Sequence, residues 1–142
     1  MQLPHQHNVI MTLHASAPQQ APTRVYRMAA MLLGIGSLHF IAPKPFDSIV
    51  PAELPGSPRF YTYASGVAEV GIGAALLAPK TRRLAALAAV ALYISVFPAN
   101  VNMVRLWFQD PSKSLPMRIV AIARLPFQVP MILEALKVYR AS

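Results

Sequence analysis

One carboxylate, Glu69, stands near the middle of Tyr61 to Ala78, a stretch of otherwise apolar and small side chains. Eighteen helical residues at about 1.5 Å each span about 27 Å, close to the roughly 30 Å hydrocarbon layer of a bilayer. A charge at that depth costs about 2.5 to 3.5 kcal/mol, so such a residue marks a site and needs a partner. Arg124 lies in a second apolar stretch, Met117 to Tyr139. Counted from the ends of their stretches, Glu69 is about 12 Å deep and Arg124 about 10.5 Å, which allows an ion pair. Gln128 follows Arg124 by one turn on the same helix face. Asn100 and His39 fall in the same half of their own segments, so the polar side chains gather towards one side of the membrane. On the Glu69 stretch, Gly66 and Gly73 share its face and leave room for a long partner side chain.

Two chemistries fit this group. One is a structural Glu69–Arg124 pair that fixes helix order, with amides satisfying backbone groups freed by Pro98, Pro126 and Pro130. The other is a pocket that binds a polar head group, carries a proton or contacts a quinone. His39 cannot supply both axial ligands of a haem, since the other three histidines, His5, His7 and His14, precede every apolar stretch. Those three form no closed set of metal ligands, and no metal site is expected. The chain has no cysteine, which excludes disulfides, iron–sulfur ligation and thiol chemistry of its own. Gly34-Ile35-Gly36 and Gly71-Ile72-Gly73 lack the strand–turn–helix setting of a nucleotide loop.

The elements that must position these residues are four apolar spans, about 25–42, 61–78, 84–108 and 117–139. The 142 residues are 55% hydrophobic and 13% charged, more apolar than a soluble domain of this size. A formal charge of +8 would suggest nucleic acid, but the basic residues cluster at the ends of apolar segments, so no nucleic-acid partner is expected. Residues 1–23 are polar and read as a disordered tail without signal-peptide organisation. Gly34 and Gly36 in the first span would admit a neighbouring helix. A proline-rich loop, Pro43 to Phe60, follows it and is long enough to roof a site. Pro98 is expected to kink the third span, and Pro126 and Pro130 to interrupt the fourth.

The expected fold is all-α, a transmembrane four-helix bundle running up-down-up-down. Arg24, Arg27, Lys80, Arg82, Arg83, Lys137 and Arg140 fall on the side of the termini; Lys44, Arg59, Arg105, Lys113 and Arg118 fall on the other. That seven-to-five bias places both termini in the cytoplasm.

The runs HFIAPKPFDSIVP, SGVAEVGIG, PKTRR, VFPANVNM and ARLPFQ, in that order, resemble the DoxX family of small membrane proteins. The resemblance spans about Tyr26 to Tyr139, and its pattern falls on His39, Pro43, Pro51, Glu69, Pro98, Asn100, Arg124 and Gln128. It implies a four-helix protein of the bacterial inner membrane, related to the membrane subunit of a thiosulfate:quinone oxidoreductase. The expected role is an accessory subunit of a redox or quinone-linked assembly, in contact with lipid, a soluble or membrane oxidoreductase and further copies of itself. A small-molecule or proton-linked carrier and a non-catalytic assembly scaffold are the alternatives. An enzyme acting alone is not expected, and quinone is the one cofactor the reading admits.

Overall fold

The computed structural model describes residues 22–142, all of whose regular elements are helices. The tail expected to be disordered, with His5, His7 and His14, lies outside the described residues up to residue 21. The helices are α1 (Thr23–Ile41), α2 (Pro43–Asp47), α3 (Pro58–Leu77), α4 (Arg82–Ser95), α5 (Phe97–Gln109) and α6 (Leu115–Ala141). Among the described residues three helical stretches are long and apolar enough to cross a membrane: Pro58–Leu77, Arg82–Gln109 and Leu115–Ala141. α1, expected as a fourth, is not among them. Only 22%, 28% and 17% of these apolar stretches is covered by the rest of the protein. Leu84, Leu115, Val67 and Val120 are among the large apolar side chains left outside, an arrangement suited to lipid.

Local sequence explains where the helices begin and break. Ser57 caps α3, its hydroxyl accepting from the Phe60 amide, and Pro58 occupies the first turn, where no amide hydrogen is needed. Ser114 does the same for α6 through the Met117 amide. Pro98 has the expected effect in a stronger form: the chain turns at Val96, and α4 and α5 are separate helices. Pro126 and Pro130 do not interrupt α6, which continues through both for 27 residues. Proline's fixed φ is compatible with the helix, and α6 is held along its length by packing on α4 and α5.

α1 packs on α3, α3 on α4, α4 on α6 and α5 on α6, while α1 and α6 meet only lightly. Glycine makes the α1–α3 contact close. A Cβ on Gly36 would lie 2.9 Å from the Glu69 Cβ, and one on Gly66 would lie 2.9 Å from the His39 Cβ. One on Gly73 would meet Leu33 and the Ala29 carbonyl. Gly66 and Gly73 thus admit α1 itself rather than a long side chain from another helix. Gly34 has nothing within 4 Å and plays no such part.

The buried apolar cluster joins Val25, Met28, Ala29 and Leu32 of α1 to Leu76 of α3 and Ala85 to Tyr93 of α4, with Ala135 and Val138 of α6. It fills the half of the molecule that holds the α3–α4 link. The other half is hollow.

Candidate functional site

The hollow half encloses a cavity of about 680 Å³ between α1, α3, α5 and α6, roofed by the segment from Pro43 to Ser57. Its walls are mostly apolar, with His39, Glu69, Asn100 and Arg124 among the polar side chains that face it. Four of the five intramembrane polar residues singled out by sequence therefore line one space. Gln128, the fifth, is buried behind the wall and accepts a long bond from the Arg124 guanidinium at 3.5 Å. Pro98 lines the cavity, Pro51 its roof, and Pro43 opens α2.

The nearest ionisable neighbour of Glu69 is not Arg124. Its Oε2 lies 3.2 Å from Nδ1 of His39. That nitrogen also stands 2.8 Å from the Ile35 carbonyl, which can only accept, so Nδ1 carries the hydrogen and donates to it. The ring stacks on Phe46 of the roof at 3.8 Å. The expected direct Glu69–Arg124 pair is absent among the described residues. Both side chains line the cavity, but no ion pair joins them. The cause lies in the glycines: Gly36 and Gly66 bring α1 so close to α3 that His39 reaches Glu69 before any α6 side chain can.

Among the described residues four buried side-chain atoms have no hydrogen-bond partner: Glu69 Oε2, Asn100 Nδ2, Gln128 Nε2 and the Tyr93 hydroxyl. An orphaned buried polar group costs about 1–3 kcal/mol, and the two that line the cavity, on Glu69 and Asn100, are the ones a ligand there would satisfy. Tyr93 was not singled out by sequence, where it reads as one more apolar-span residue. It is 3% exposed and belongs to the buried apolar cluster, so its hydroxyl is a polar group at the edge of the filled half.

The roof is fastened by groups that sequence reasoning also missed. Asp47 accepts from Thr62 at 2.6 Å and from Arg59 at 2.8 Å, tying the end of α2 to α3. The Thr62 hydroxyl and the Arg59 guanidinium hold the Asp47 carboxyl below its ordinary range. Asn102 donates to the Ile49 carbonyl at 2.9 Å and ties the roof to α5; the Tyr61 hydroxyl donates to the Pro55 carbonyl. The available signal was the presence of Asp47 and Arg59 in the same loop, where Asp47 is one of two acids, the other being Glu53. Gly56, with φ of +86°, supplies the left-handed turn that returns the chain to α3.

A family model described as a domain of unknown function, DUF8561, matches residues 28–139. The chain belongs to that family. No curated protein and no solved structure matches it. The DUF8561 match includes every residue that lines the cavity, from Ile35 to Phe127, together with the whole roof. In this DUF8561 member the arrangement offers two unlike walls. His39 and Glu69 on one side can accept or exchange a proton, while Asn100 and Arg124 on the other can donate to an oxygen. Among the described residues no group of three or more acidic, histidine or cysteine side chains could hold a metal.

Proposed function

We propose that this protein is a multi-pass membrane protein whose hollow half binds the head group of a quinone-like amphiphile, as an accessory subunit of a redox assembly. The observation that carries the proposal is the coincidence of a large, mainly apolar cavity with unpaired polar atoms on facing walls. A quinone oxygen accepts from Asn100 and Arg124, and a quinol hydroxyl donates to Glu69. The resemblance to the DoxX family supports the same assignment, and the absence of cysteine leaves electron transfer to a partner. In this reading α1 is the fourth span of an up-down-up-down bundle, with lightly basic α1 ends and both termini on the cytoplasmic side of a bacterial inner membrane. The order of packing, α1 on α3, α3 on α4 and α4 on α6, favours it.

The chain's one tryptophan, Trp107, lines the cavity and reports occupancy directly. A benzoquinone titrated into the purified protein is expected to quench its fluorescence saturably, and Arg124→Met with Asn100→Leu to abolish the saturable part. Linear, collisional quenching in both proteins would remove the quinone assignment. For orientation, Ala52→Cys on the exposed roof should react with an impermeant thiol reagent outside intact cells; labelling only after lysis would reverse the topology.

A further inference from the structure

The polar groups of the cavity sit beneath a fastened roof, but its flank is open and apolar. Ile35 on α1 and Val120 and Phe127 on α6 line the cavity while remaining 40%, 62% and 54% exposed, and Ala123 between them is exposed as well. They border a seam where α1 and α6 barely pack, because the apolar cluster that both helices share lies in the opposite half, at Val25 to Leu32 and at Ala135 and Val138. The water-facing end differs. There Phe46 is stacked on His39, Ile49 is bonded to Asn102 and Asp47 to Thr62. A seam lined by exposed aliphatic and aromatic side chains on membrane-length helices offers an alkyl chain contacts equivalent to those of surrounding lipid.

We infer that the ligand is a tailed amphiphile whose head occupies the cavity while its alkyl tail leaves between α1 and α6, past Ile35, Ala123 and Phe127. This rests on the cavity being a ligand site, and adds that the tail is recognised and has one exit. The ligand then enters and leaves sideways through the apolar layer, with the roof closed. A tail-less head of the same chemistry fills the polar part of the site but gains nothing from the seam.

The test compares two probes, a benzoquinone bearing an alkyl tail and the same ring without it, by saturable quenching of Trp107 in detergent-solubilised protein. Ala123→Phe and Ile35→Phe narrow the seam without touching the polar walls, and Ala123→Leu serves if either packs poorly. The expected result is a loss of about tenfold in affinity for the tailed probe relative to the tail-less one, each normalised to the parent protein. Equal losses for both probes, or no loss for either, would overturn the tail exit while leaving the head-group site standing. Failure of both probes to bind the parent saturably would overturn the site itself and the inference with it. Thermal unfolding of each variant checks that the folded protein is being compared.

Discussion

The two halves of this molecule bury opposite kinds of side chain. Around the α3–α4 link the buried residues are apolar, from Val25 and Leu32 to Leu76, Ala86 and Val138. Beneath the roof the buried residues are His39, Thr62, Asn100, Asn102 and Gln128, with Ala121 the apolar exception. One chain and the same helices give a filled end and a hollow one. The difference follows from side-chain size and from one backbone break. Ala85, Ala86 and Ala89 let α4 pack closely on its neighbours, whereas the turn at Val96 redirects the chain so that α5 packs on α6 and makes no comparable contact with α1 or α3. The filled half supplies packing; the hollow half keeps polar atoms unpaired, which a fold selected for stability alone would not do.

The largest expected effect belongs to the helix contact that joins the halves. Gly66→Val places branched atoms into His39 and Phe40, where even a Cβ would be 2.8 Å from the Phe40 ring. It should cost about 3 kcal/mol or prevent folding, read as lost monodisperse yield. Gly34→Ala, on the face of α1 away from the contact and with open space around it, should instead be neutral or stabilise by up to about 1 kcal/mol. Equal damage from both would mean that α1 does not approach α3 through Gly36 and Gly66.

Next in size is a contrast between the halves themselves. Leu32→Ala in the filled half should destabilise by about 2–5 kcal/mol and leave ligand affinity almost unchanged. Asn100→Leu in the hollow half removes an unpaired buried amide, so stability should hold or rise while saturable binding falls. Denaturation in detergent and the Trp107 titration, done on both variants, would expose any failure of the contrast. A smaller effect is expected from a cycle of His39→Ala and Glu69→Gln, whose coupling should be about 0.5–2 kcal/mol. The Glu69→Gln and Arg124→Met cycle should couple less, because those side chains do not touch. The reverse order would restore the direct Glu69–Arg124 pair.

Much of the frame was legible in the sequence because membrane-length apolar runs and proline leave strong local signals. The kink expected at Pro98 follows from backbone chemistry alone, as does the persistence of three apolar helices, whereas the short α2 lies in what the sequence presents as a loop. The gathering of Glu69, Arg124, Asn100 and His39 in one space followed from counting depth along each run. Depth, however, does not give rotation about a helix axis. It allowed Glu69 to face Arg124 and could not reveal that Gly36 and Gly66 turn His39 onto it. Tyr93 was illegible for the same reason, and the Asp47–Thr62 and Asn102–Ile49 ties involve positions 15 and 53 residues apart that no local pattern connects. The uninterrupted α6 shows proline's local penalty overridden by packing on two neighbours.

The smallest effect concerns the roof. Asp47 titrates below its ordinary value of 3.8 because Thr62 and Arg59 favour its charged form. Its fastening is therefore complete above that value and is lost as pH falls through the lower, folded-state pKa. Hydrogen exchange should show Pro43–Ser57 protected equally at neutral and mildly acidic pH, after correction for intrinsic rates, and loosened only in strong acid. In Asp47→Asn the same segment should be loosened at every pH, with the helices around the filled half unaffected. Exchange that spreads into α4 would show that the roof and the filled half unfold as one unit.

The central claim is that the hollow half is a ligand site and the filled half is not. Native mass spectrometry of the protein released gently from its own membrane tests it most directly. The parent and Leu32→Ala should each retain one small amphiphile, and Arg124→Met should emerge without it. A bare parent chain, or a bound mass that survives Arg124→Met unchanged, would contradict the account.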